Sequence, residues 1–171
     1  MTQLQLIQQP PLRECIETGD YRYYLSERVN NLPHRLLLWC LVNPSVANAF
    51  RADHTMVKVR GFTDSNGFSQ WSIVNPYAYR ATDFKDLTRA RKRGVDVVGP
   101  ENDEHIRRAA TEAGSIVVGW GHHFNDPQRE AEVLAILRAT GKPLLCLGCT
   151  EGGKPRHPLM LAYNTELVPW P

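Results

Sequence analysis

The chain holds 171 residues, 42% hydrophobic and 22% charged, with 20 basic side chains against 18 acidic ones for a net charge of +2. That length and composition fit one domain able to bury roughly 70% of its unfolded surface and exclude an acidic or Pro/Gly-driven disordered chain, and four cysteines do not suggest a disulfide scaffold. The longest apolar run, Leu36 to Val42, is far below the ~18 residues of a membrane span, and the first five residues lack the basic start and apolar stretch of a secretory signal. A reduced, cytoplasmic protein without membrane contact is therefore expected. Balanced charge rules out an overall polyanion-binding field while allowing a local basic groove.

In chain order, residues 1–12 close on Pro10-Pro11 and read as a flexible arm, with a single α/β domain over 13–171. Tyr21-Arg22-Tyr23-Tyr24-Leu25 is rich in strand-favouring aromatics, Asn30-Asn31-Leu32-Pro33 marks a turn, and Arg35 to Val42 reads as a buried strand. Those two strands are expected to pair as an N-terminal antiparallel hairpin. Asn43-Pro44-Ser45 ends the second, since proline cannot continue a central ladder. A helix is predicted around His54 to Thr63, a short strand over Trp71 to Val74 ending at Asn75-Pro76, and a helix over Asp83 to Arg91 capped by Thr82 or Asp83. Pro100-Glu101-Asn102-Asp103 opens a helix to Ala113, where proline is tolerated in the first turn and the acids suit the dipole. Ser115 to Trp120 is the next strand, Asp126-Pro127 starts a helix to Ala139, and Pro143 to Leu147 is the last long apolar strand. Strands alternating with helices imply a mostly parallel sheet covered on both faces, a three-layer α/β/α architecture.

Open α/β sheets bind ligands beyond the carboxyl ends of their strands, near the point where strand order reverses. The residues leaving the predicted strands are polar and rigid: Asn43-Pro44-Ser45, Asn75-Pro76-Tyr77, Gly121-His122-His123, and Arg156-His157-Pro158-Leu159 after the last. Proline holds the preceding residue extended and so aims its side chain. Asn and His side chains held this way suit the amide edge of a heterocycle. The plainer reading of Asn43 and Asn75 is that they satisfy loop backbone groups. Asn102 and Asp103 read first as helix-start residues.

Metal and thiol chemistry fit less well. Cys146-Leu147-Gly148-Cys149 has Cys-x-x-Cys spacing without the following helix of a redox site, and zinc would need two further ligands that adjacent His122 and His123 cannot both easily supply. Cys40, inside an apolar strand, reads as core. No phosphate-cradling glycine loop is present. No metal or other cofactor is expected.

Several segments resemble an uncharacterised bacterial and phage family, domain of unknown function 1643: Tyr21-Arg22-Tyr23, Leu41 to Ser45, Asn75 to Thr82, Gly99 to Asp103 and Pro155 to Leu159. The ordered landmarks also resemble, more remotely, the uracil-DNA glycosylase superfamily and its mismatch-specific branch. Asn43-Pro44 is similar to the water-positioning motif after that superfamily's first strand, and Asn75 to the asparagine that reads the base edge. Val117 to Gly121 resembles its third strand with the Trp-Gly ending, and His157-Pro158-Leu159 its His-Pro motif. The chain departs from the superfamily in lacking the serines that follow His-Pro and an aspartate at the water-activating position.

The resemblance implies a base-recognising pocket acting on DNA or a nucleotide by N-glycosidic bond hydrolysis or related base processing. His157 would donate to a carbonyl of the departing base, Asn75 would pair with its amide edge, and Asn43 would hold the attacking water. Pro44 and Ser45 would line the site, Tyr77 or Phe50 would stack on the base, and Lys154, Arg156 and Arg80 would meet phosphates. Two alternatives stay open: a non-catalytic nucleotide or nucleic-acid-binding module, and an enzyme on free nucleosides.

Overall fold

A computed structural model describes residues 13–45, 47–48 and 51–171. The predicted arm over 1–12 and the candidate Phe50 lie outside the described residues. Seven strands form one mixed sheet: β1 (Arg13–Thr18), β2 (Tyr21–Arg28), β3 (Leu36–Cys40), β4 (Gln70–Val74), β5 (Ser115–Val118), β6 (Leu144–Cys146) and β7 (Val168–Pro169). Their order is β1-β2-β4-β3-β5-β6-β7. The four middle strands run parallel, and the outer pairings β1–β2, β2–β4 and β6–β7 are antiparallel.

Two expectations need correction. The sheet is parallel only at its centre. The strands at 21–25 and 35–42 do not form a hairpin, because β4 lies between β2 and β3 and β2 pairs instead with β1. The cause is β1, whose residues carry little hydrophobic signal: Arg13-Glu14-Cys15-Ile16-Glu17-Thr18 is an edge strand with no fully buried residue.

Four helices connect the sheet: α1 (His54–Ser65), α2 (Phe84–Lys92), α3 (Asn102–Glu112) and α4 (Pro127–Arg138). Three have a side-chain cap, satisfying backbone N–H groups that the first turn leaves open. Asp53 accepts from Met56 N, Asp83 from Lys85 N, and Asp126 from Arg129 N. Alternation along β3 splits the core in two. Leu36, Leu38 and Cys40 pack with Leu87 of α2, Ile106 of α3 and Val133 of α4. Leu37 and Trp39 pack with Met56, Val59 and Phe62 of α1. No helix among the described residues is long and apolar enough to cross a membrane.

This order creates a crevice. After β3 the chain passes to α1, which belongs to one core; after β4 it passes to α2 and α3, which belong to the other. Adjacent parallel strands whose exits diverge leave an opening at their carboxyl ends, where open α/β sheets place ligands.

Candidate functional site

At the carboxyl ends of β3 and β4 lies a hollow lined by Arg22, Asn43, Ser45, Ala47, Asp53, Asn75 and His157, with Leu41, Thr55, Met56 and Ile73 completing the wall. Its inner volume is about 40 Å³, and the space including the mouth is about 320 Å³. At ~10–15 Å³ for each water-sized centre, the inner part takes only a few polar atoms, the size of a ligand's edge.

Three side chains that the sequence marks from separate loops, Asn43, Asn75 and His157, thus meet in one place. Asn43 leaves β3 with its amide nitrogen engaged twice, donating to Ala81 O at 2.8 Å and Pro44 O at 3.2 Å. Its Oδ1 is the acceptor left over, with no hydrogen bond among the described residues. Pro44 is buried and its carbonyl also accepts from Ala81 N. Ser45, half-buried, stands beside Asn43 on the wall.

Asn75 is buried, and its Oδ1 accepts a long 3.4 Å hydrogen bond from Arg22 Nη2. Its backbone is clamped from outside the hollow. Asn102 Nδ2 donates to Asn75 O at 2.9 Å and to Pro76 O at 3.1 Å, and Arg129 Nε donates to Pro76 O at 2.8 Å. Asn102 is fully buried and Arg129 is 4% exposed. Arg129 is in turn neutralised by Asp103 at 2.5 Å and Glu132 at 3.1 Å. Asn102 therefore does not cap α3; it pins the strand exit that aims Asn75.

His157 is held by two neighbours. Its Nδ1 accepts from Leu159 N at 3.3 Å, opening a short 3-10 turn over Pro158–Met160. Gly121, at the exit of β5, donates its N–H to Pro155 O at 2.8 Å and has φ +72°, a conformation that suits glycine. A Cβ there would sit 3.3 Å from His157 Cβ. Burial pushes the imidazole down to about 4, so the ring is neutral at pH 7. The residue as a whole is half-buried. With Nδ1 accepting from a backbone N–H, the neutral tautomer carries its proton on Nε2 and is a donor.

Sequence reasoning missed Arg22 and Asp53. Arg22 is 4% exposed, donating from Nη1 to Ala47 O at 2.8 Å, and its Nε has no partner. A bulge delivers it: Ile16 pairs with Tyr24 and Glu17 with Arg22, leaving Tyr23 as the extra residue. An extra residue reverses alternation, putting Arg22 on the same side as Leu25 and the α1 core. Asp53 caps α1 through Oδ1 and also lines the hollow.

Other candidates lie elsewhere. Tyr77 does not line this hollow: its ring packs edge-on against Phe124, and its hydroxyl donates to Asp126 at 2.8 Å in the opposite core. Lys154 pairs with Glu130, and Arg80 pairs with Glu17 while also donating to Ala47 O at 3.2 Å. Arg156 is exposed. Cys146 is buried and Cys149 exposed. No group of three metal-ligating side chains occurs among the described residues.

The family model for proteins of unknown function DUF1643 matches residues 22–159, well over half the chain. The chain belongs to the DUF1643 family. Comparison with curated proteins and with solved structures gives no match. The DUF1643 match begins at Arg22 and ends at Leu159, so it spans every hollow-lining residue from Arg22 to His157.

Proposed function

We propose that this hollow binds the polar edge of a nucleobase, and that the protein recognises or processes a base in DNA or in a nucleotide, by N-glycosidic bond hydrolysis or related chemistry. The observation that carries this reading is the convergence of Asn43 and Asn75, which leave the adjacent parallel strands β3 and β4, with His157 from the loop after β6. A three-layer, uracil-DNA-glycosylase-like architecture is part of the same proposal.

The roles follow from which atoms are already engaged. Asn75 Nδ2 makes no hydrogen bond among the described residues, so it can donate to a ring carbonyl while Oδ1 stays oriented by Arg22. Neutral His157 donates to a second carbonyl, and a preorganised donor of this kind contributes roughly 3–4 kcal/mol to a transition state. Asn43 Oδ1 orients a water but cannot take its proton. Asp53 supplies a carboxylate on the same wall that can.

One observation favours free nucleosides or nucleotides over duplex DNA as the second reading. Two of the three expected phosphate contacts, Arg80 and Lys154, are already paired with Glu17 and Glu130. The test is incubation of the purified protein with oligonucleotides bearing uracil, hypoxanthine or modified pyrimidines, followed by assay for abasic sites. Product that disappears in Asn43→Ala and His157→Ala supports base excision. Turnover unchanged in both variants removes the assigned roles, and nucleoside binding without duplex affinity moves the proposal to its second form.

A further inference from the structure

The two most buried arginines of this protein are treated differently by their surroundings. Arg129 and Arg22 are each 4% exposed. Arg129 has two carboxylates within ion-pair distance, Asp103 and Glu132. Arg22 has none among the described residues; its donors reach one backbone carbonyl and one amide oxygen, and its Nε reaches nothing. A buried, unneutralised guanidinium is costly and is ordinarily tolerated only where something pairs with it. Burial pulls its pKa down to about 10, the expected direction for a cation with too little compensation.

Among its charged neighbours, Arg80 adds positive potential, and Asp53 and Glu17 offset part of it from beyond ion-pair distance. Arg80 donates to the same Ala47 carbonyl as Arg22, so two guanidinium groups share one neutral acceptor, and the single carboxylate paired with Arg80, Glu17, lies outside the hollow. Thr55 and Met56, from the first turn of the 12-residue α1, also line the wall, where the helix dipole favours an anion. Asp53 is the one carboxylate on the wall; one of its oxygens caps α1, and it lies beyond ion-pair distance of Arg22, so it balances the guanidinium only in part.

We infer that the hollow is an oxyanion site in which Arg22, buried with no carboxylate within ion-pair distance, supplies the positive charge, so that its ligand enters with a negatively charged group leading. The inference rests on reading the hollow as a ligand site and names the class of ligand: a small molecule bearing a carboxylate or phosphate. The inner 40 Å³ suits such a group better than a whole ring. Guanidinium and oxyanion match in geometry and charge, and Arg22 keeps unpaired N–H capacity for the purpose.

The test is calorimetric titration of the full chain, at matched ionic strength, with three probes: inorganic phosphate, orotate as a pyrimidine carrying a carboxylate, and uridine as its neutral counterpart. The expected result is binding of phosphate or orotate, with Arg22→Gln weakening it about tenfold or more, a loss of at least ~1.4 kcal/mol, and Arg22→Lys recovering part of it. Uridine binding as tightly as either anion, anion affinity unchanged in Arg22→Gln, or no anion binding overturns the inference. Should Arg22→Gln not fold, the Arg22 Nε–H resonance of the wild-type protein decides: it shifts on saturation with the bound anion, and a fixed resonance overturns the inference. Phosphate binding without response to orotate or uridine sustains the oxyanion site and removes the nucleobase reading. Uridine binding without anion preference does the reverse.

Discussion

Acid should weaken this fold through His157 in a way that one substitution exposes. The imidazole sits near 4 in the folded protein because burial disfavours its charged form, whereas an unfolded chain holds it near ~6.5. Below that value the unfolded state takes up the proton first, so the folded state loses ground until its own ring titrates. The stability is thus fully present above pH 6.5 and is lost as pH falls toward 4. Each pH unit is worth ~1.4 kcal/mol for one proton, giving about 3 kcal/mol across the window. Urea unfolding of wild type and His157→Gln at half-unit intervals from pH 8 to 4 measures it. Carboxylates titrating in the same range cancel in the difference between the two proteins. Wild type should lose about 3 kcal/mol more than the variant over that interval. Parallel stability curves would refute the enclosed, neutral imidazole, and with it the donor role given to Nε2.

Three further outcomes follow from the clamps around the hollow and from thiol burial. Asn102→Ala strips donors from the Asn75 and Pro76 carbonyls, so urea denaturation should register a loss of about 1–3 kcal/mol, and ligand affinity should fall although Asn102 touches no ligand. Gly121→Ala should cost about 1–2 kcal/mol for its left-handed backbone and displace His157, since the new Cβ would meet its Cβ at 3.3 Å; a wild-type melting temperature would argue against this contact. Native protein treated with a thiol-alkylating reagent should be modified at exposed Cys149 and spared at Cys40, whose thiol burial pushes up to about 12; mass spectrometry finding Cys40 labelled at the rate of Cys149 would contradict its enclosure.

Much of this arrangement is legible in the sequence where local chemistry is strong. Asp83 and Asp126-Pro127 announce the starts of α2 and α4 because caps and first-turn prolines act through neighbouring residues alone. The Asn43-Pro44 and Asn75-Pro76 exits are visible for the same reason, since proline constrains only its predecessor. What depends on partners far along the chain is not legible. The pairing of β1 with β2, and the bulge at Tyr23 that turns Arg22 inward, are decided by tertiary register. A lone charge in an aromatic strand carries no mark of burial. Asn102 looks like a helix-start residue until the carbonyls of 75 and 76 are seen above it. Tyr77 follows Asn75 by two residues, which in a continuous strand would share its face, but the bend at Pro76 sends its ring into the other core.

The sharpest measurement is a titration of ¹⁵N-labelled protein with uridine, orotate and a uracil-containing oligonucleotide, following the side-chain amides of Asn43 and Asn75. The account predicts that one of these ligands moves both amide signals together and saturates them at a common concentration. Both signals holding still under every ligand, or moving at unrelated concentrations, would contradict a shared hollow built to read a base.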